Sequence, residues 1–180
     1  MGTEHHVQKT RSEDCLCQIV KDIDDSQRII AERTSSFTRE NVLTKMKMGH
    51  KFQQVDKDTV PFMLFGKDGR LFIGKGIAEH KHRDSLFTGM ESPVFRVQHA
   101  DNNCWAQLEL LCPVTKNGEV LRSDVVNDKA ESCFFPDKEI TAFQRTGVCI
   151  VVNLAEFMGI SCLPAVQVHA RAEYQKDEKG

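Results

Sequence analysis

The side chains with the most chemistry to offer in this chain are its thiols. Seven cysteines stand at positions 15, 17, 104, 112, 133, 149 and 162. A thiol can ligate a metal, close a disulfide, attack as a nucleophile or simply fill a core. Cys149 and Cys162 bracket an apolar run in TGVCIVVNLAEFMGISCLPAVQV. The intervening AEFMG can turn the chain back so that the two sulfurs meet; equally, both can be small buried hydrophobes of a terminal β segment. Cys15 and Cys17 form a Cys-x-Cys pair on the first turn of a predicted helix, where side chains two apart diverge by about 200°. They cannot share a metal ion without unwinding that turn. Either they are packed, or they are surface thiols that bridge to another chain. An odd count leaves at least one thiol without a partner inside a monomer.

His80 and His82, in EHKHRD, are two imidazoles at i, i+2 on an extended chain and so face the same side. No third ligand is specified and the neighbours are charged, so a solvated loop is the main expectation and a weak metal clamp the alternative. Other catalytic patterns are missing. There is no Cys-x-x-Cys, no Gly-x-Ser-x-Gly elbow, no His-Glu-x-x-His pair, and no glycine-rich loop between a strand and a helix. No catalytic residue, cofactor site or metal site is therefore assigned, and the chain is not expected to be an enzyme.

The elements that must position these thiols follow from length and patterning. The 180 residues, 40% hydrophobic and 28% charged with a formal charge of -2, suit one domain with a hydrophobic core. A balance so close to neutral carries no polybasic footprint for nucleic acid. The longest apolar run, Val148 to Val152, is far short of a bilayer span, and the start MGTEHHVQKTR is no apolar signal region. The expectation is a chain made in a cytoplasm, without membrane or nucleic-acid partners.

Residues 1–11 and 171–180 are expected to be disordered tails. From Ser12, the residues Leu16, Ile19, Val20, Ile23, Gln27 and Ile30 recur at three- and four-residue steps, which predicts an amphipathic helix over 12–33. Its stripe must be buried on the same subunit or on a neighbour; the helix is read as an assembly element whose removal leaves the rest folded. A linker over 34–57 follows. From 58 to 170, short β-branched and aromatic runs alternate with Gly, Asn, Asp and Pro. Strands are expected near 60–65, 70–74, 93–99, 104–112, 119–122, 139–144, 148–154 and 163–168. KDGR and KNGE mark turns, a bulge is expected near Ala106 or Gln107, and 76–91 reads as a loop over a sheet edge. With no helices between strands, the fold class is mainly β: an antiparallel β-sandwich or flattened barrel preceded by an N-terminal amphipathic helix.

Four segments in order, CLCQIVKDIDDSQ, DTVPFMLFGKDGRLF, SPVFRVQHADNNCWAQLELL and CIVVNLAEFMGISCL, make the chain resemble the CotY/CotZ family of cysteine-rich spore coat proteins. The matched elements are Cys15 to Gln27, Pro61-Phe62, Phe95-Arg96-Val97 with Cys104, and Cys149 to Leu163. The family pattern carries further cysteines where this chain has SSFTRENV, Glu156 and Met158. The resemblance implies a structural protein of the outermost spore coat, crust or exosporium. Such a protein is made in the mother-cell cytoplasm, deposited on the spore surface, and partnered by itself and by other coat proteins. A non-lattice adaptor for other coat proteins and a metal-binding or redox protein are the rival readings. In the leading one, Cys15 and Cys17 are the intermolecular disulfide candidates. Cys104, Cys112, Cys133, Cys149 and Cys162 are internal or packing thiols, and Leu16, Ile19, Val20, Ile23 and Ile30 form the assembly face.

Overall fold

The computed structural model describes residues 11–40, 57–82, 85–121 and 139–170. The expected tails, most of the linker and Cys133 lie outside the described residues. A long helix, α1 (Arg11–Glu40), precedes seven strands: β1 (Phe62–Gly66), β2 (Gly74–His82), β3 (Ser85–Ser92), β4 (Phe95–Ala100), β5 (Trp105–Thr115), β6 (Ile140–Asn153) and β7 (Phe157–Cys162). Five form an open antiparallel sheet in the order β6-β5-β4-β1-β7, and β2 and β3 form a separate hairpin. The sheet does not close into a barrel, so the layered alternative holds.

α1 continues past the expected boundary because no Gly or Pro interrupts the sequence before Glu40. Leu16, Val20 and Ile23 are buried in the main core of their own chain, with Ile19 partly buried against it. Their stripe is thus occupied within the monomer. Burying three such side chains contributes about 1.5–3 kcal/mol each.

The polar member of the stripe, Gln27, has a separate task. β1 and β4 pair only at Phe62 and Phe95 and then diverge. In the gap, Gln27 Nε2 donates to the Val97 carbonyl at 2.9 Å, and Gln27 Oε1 accepts from the Val60 N–H at 3.2 Å. Asp24 accepts the Ala100 N–H at 2.9 Å. Helix side chains thereby take the place of a neighbouring strand along the free edge of β4.

The β2–β3 hairpin corrects the expected loop over 76–91. Its inward positions Gly74, Gly76 and Ala78 are small, which hides the apolar alternation of a strand. The reason is close packing. A Cβ on Gly74 would lie 2.6 Å from Phe95 Cε1, and one on Gly76 would overlap Val148. Ala78 and Met90 enter the core that also holds the α1 stripe, so helix and hairpin share one face of the sheet. On the opposite face, Val94, Leu111, Phe143 and Val168 form a second, smaller core.

The two expected strands 139–144 and 148–154 are one, β6, broken by a bulge. Glu109 pairs with Cys149 and Leu111 with Arg145, so Thr146, Gly147 and Val148 together oppose Leu110. Gly147 sits at φ 73°, a conformation a side chain would resist. The β4–β5 irregularity comes at the expected height, but the extra residue is Gln98 on β4. The last strand is β7 instead of 163–168. That segment runs extended, bridging Thr59 at Val166 and Gln144 at His169, and closes the second core. Within 119–121 Val120 bridges Val114, flanked by backbone bonds from the Thr115 N–H to the Glu119 carbonyl and from the Leu121 N–H to the Pro113 carbonyl, and within 70–74 Leu71 bridges Phe65.

Candidate functional site

The described thiols separate into three environments. Cys17 and Cys104 form a disulfide that ties α1 to the turn between β4 and β5, across 87 residues of sequence. Pairing inside the chain leaves Cys15, which is exposed, as the N-terminal thiol open to another molecule. The Cys104 end is firmly built. Asp101 Oδ1 accepts from the Asn103 and Trp105 N–H groups, and the Cys104 carbonyl accepts from the Leu154 N–H at 2.7 Å. Cys104 itself takes φ 63°, rare for a residue other than glycine. Cys112 is buried in the main core.

Cys149 and Cys162 do not meet. Cys149 is on β6 and Cys162 on β7, the two outer strands of the five-stranded sheet. With three strands between them, they stand roughly 19 Å apart at the usual strand spacing. The expectation that AEFMG folds the chain back on itself is corrected. Leu154–Glu156 is one turn of 3-10 helix, and it carries the chain to the far edge, where β7 pairs with β1. Both thiols are exposed.

Beside Cys149 lies a buried charged network that the alternation of β5 did not reveal. Glu109 lies opposite Arg96 on β4 and Cys149 on β6, and is only 1% exposed. Arg145 Nε donates to both its oxygens, at 3.2 and 3.0 Å, and the Gly147 N–H donates at 2.9 Å. The Gln98 side chain donates to the same carboxylate. Each bulge thus aims a donor at Glu109: Gln98 is the extra residue of β4, and Gly147 is at the centre of the β6 bulge. Thr146 Oγ1 fixes that bulge by donating to the Leu110 carbonyl at 2.7 Å and accepting the Val148 N–H at 3.0 Å. Arg96 Nε is buried without a hydrogen-bond partner among the described residues. Burial first, and the charge of Arg145 second, lower the pKa of the Arg96 guanidinium, while Glu109 and Asp58 oppose the shift.

This arrangement holds charge in place but does not activate sulfur. Partial burial of an otherwise exposed residue, then the negative charge of Glu109, raises the Cys149 pKa, with the Gln107 hydrogen bond and the two arginines opposing. Burial alone raises that of Cys162. A raised thiol pKa leaves less thiolate at neutral pH, the reverse of what a catalytic nucleophile needs. At pH 8, Cys149 and Cys162 should therefore react with iodoacetamide more slowly than a cysteine in a short unstructured peptide, and faster as the pH rises toward 10. Peptide mass spectrometry of timed samples measures this; reaction at pH 8 as fast as that peptide would contradict the assigned environments.

His80 and His82 fall on β2, but their side chains lie outside the described residues, as does Cys133. Among the described residues, no group of three His, Cys, Asp or Glu is placed to hold a metal ion. None of their helices is long and apolar enough to cross a membrane. Sequence reasoning missed Glu109, Arg145, Arg96, Gln98 and Gly147. The one available signal was a carboxylate inside the leucine-rich run AQLELLC.

A family model described as spore coat protein Z matches residues 3–165. No curated protein and no solved structure matches the chain.

Proposed function

Because this chain belongs to the spore coat protein Z family, we propose that it is a structural, self-associating component of the outermost coat, crust or exosporium. In this reading it is made in the mother-cell cytoplasm and deposited on the spore surface, where it contacts copies of itself and other coat proteins. The observation that carries the reading is the placement of exposed apolar and thiol groups on both outer strands of one sheet. β6 presents Val151 and Cys149, and β7 presents Met158 and Cys162; Val151 is 66% and Met158 65% exposed. An extended layer needs each copy to touch neighbours on different sides, since a single patch used once closes a dimer. Two opposed edges meet that need. Cys15 adds a third contact point, free of the constraint of a strand.

The test is assembly of freshly reduced protein over a concentration series, followed by light scattering, negative-stain microscopy and non-reducing peptide mapping after alkylation. Extended or high-order species are expected, with cross-links appearing at Cys15 before Cys149 or Cys162 once Cys17 has re-paired with Cys104, because the raised pKa of Cys149 and Cys162 slows their exchange. A strictly monomeric protein at high concentration would sink the reading. Discrete complexes formed only with other coat proteins would replace it with the adaptor reading.

A further inference from the structure

We propose that the Cys17–Cys104 disulfide is a redox-operated clasp: closed, it holds α1 as the cover of the β4 edge, and reduced, it lets the helix leave while the five-stranded sheet stays folded. The two ends of the bridge differ in kind. Cys104 belongs to a turn fixed by Asp101 and by the Leu154 N–H. Among the described residues, Cys17 belongs to a helix otherwise held by Leu16, Val20 and Ile23 with Ile19 partly buried beside them, by the bonds of Gln27 and Asp24, and by the Lys21 side chain donating to Asn102. The sheet does not depend on the helix in the same way. β5 is paired along its length by β6 and over Ala106 to Leu110 by β4, and β1 is paired by β7.

Both cysteines are only partly buried, which leaves the bridge an approach for a small thiol. Its thiolate attacks one sulfur and expels the other as a thiolate. A second small thiol then displaces the remaining protein sulfur, leaving Cys17 and Cys104 as thiols and the reductant as its disulfide. What opens is a row of backbone groups, the Val60 and Ala100 N–H and the Val97 carbonyl, now bonded to helix side chains. Redox state then controls whether these groups in the gap between β1 and β4 stay covered, and the clasp stands whether or not the coat reading does.

Hydrogen exchange on the full chain tests it, comparing the oxidised protein, the protein reduced with a phosphine, and Cys17→Ser. In the reduced protein and in the variant, amides of α1 between 16 and 27 and the Ala100 amide should exchange at least tenfold faster than in the oxidised protein. Amides of Leu108 and Leu110 in β5 should be unchanged. Equal α1 exchange in all three samples would show an inert staple and overturn the proposal. So would parallel acceleration of α1 and β5, because the helix would then be inseparable from the core.

Discussion

Glu109→Ala should cost about 2–4 kcal/mol: less than breaking a fully buried ion pair, because the half-exposed Arg145 can turn to water, but enough to reflect buried donors left without an acceptor. For a chain of this size, that corresponds to a fall in melting temperature of roughly 10 °C. The cost comes less from the lost carboxylate than from what it leaves behind: Arg145, the Gly147 N–H and Gln98 lose their acceptor together. Arg96 then sits beside Arg145 with its nearest compensating charge gone. Glu109→Gln keeps the volume and some hydrogen bonding, so it should fall between wild type and Glu109→Ala. Urea denaturation followed by circular dichroism gives the numbers. If Arg145→Ala is added to Glu109→Ala, the second loss should be much smaller than that of Arg145→Ala alone, because the pair acts as a unit. A Glu109→Ala protein within about 1 kcal/mol of wild type would show that the network is not holding the bulges.

Phe95→Ala should be comparably damaging, about 3–5 kcal/mol as for other buried phenylalanines. Phe95 is fully buried and stands where the layers meet. It pairs with Phe62 on β1 and Leu110 on β5. Its ring lies 5.7 Å from that of Phe72 and 6.4 Å from that of Phe62, and Gly74 of the hairpin rests on it. Phe95→Leu, which keeps most of the volume, should cost about 1–1.5 kcal/mol. It should also make Gly74→Ala better tolerated, since the atom that a new Cβ would strike is gone. If Gly74→Ala were equally harmful in both backgrounds, the hairpin would not be seated on this ring.

The helix, the mainly β antiparallel class and most of the strands are legible in the sequence, because each has a periodicity set by one buried face. Leu16, Val20 and Ile23 announce a helix, and Phe95, Val97, Leu108 and Leu110 announce half-buried strands. The β2–β3 hairpin stays hidden because close approach demands glycine and alanine where a strand would normally show Val or Ile. Ile77, the bulky residue there, faces outward and is 70% exposed. The thiols are visible as residue types, but their pairing depends on strand order. Cys17 finds Cys104 only once the helix crosses the β4–β5 turn, and Cys149 is parted from Cys162 only once β7 crosses to the far edge. Glu109 reads as a solvent-facing member of an alternating strand. Its burial comes from donors on two other strands, brought to it by two bulges that no local pattern announces.

The pairing of β1 with β7 also sets the order in which the molecule can be built. β4–β5 and β2–β3 join segments that are close in sequence, but Phe62 must wait for Cys162. Closing such distant contacts is slow, so the sheet should complete on the millisecond-to-second scale typical of non-local β topologies. On the ribosome, β1 emerges long before the strand that will cover its outer side. Throughout that interval the nascent chain shows its neighbours an unsatisfied strand, the point in its life when pairing with the wrong copy is easiest.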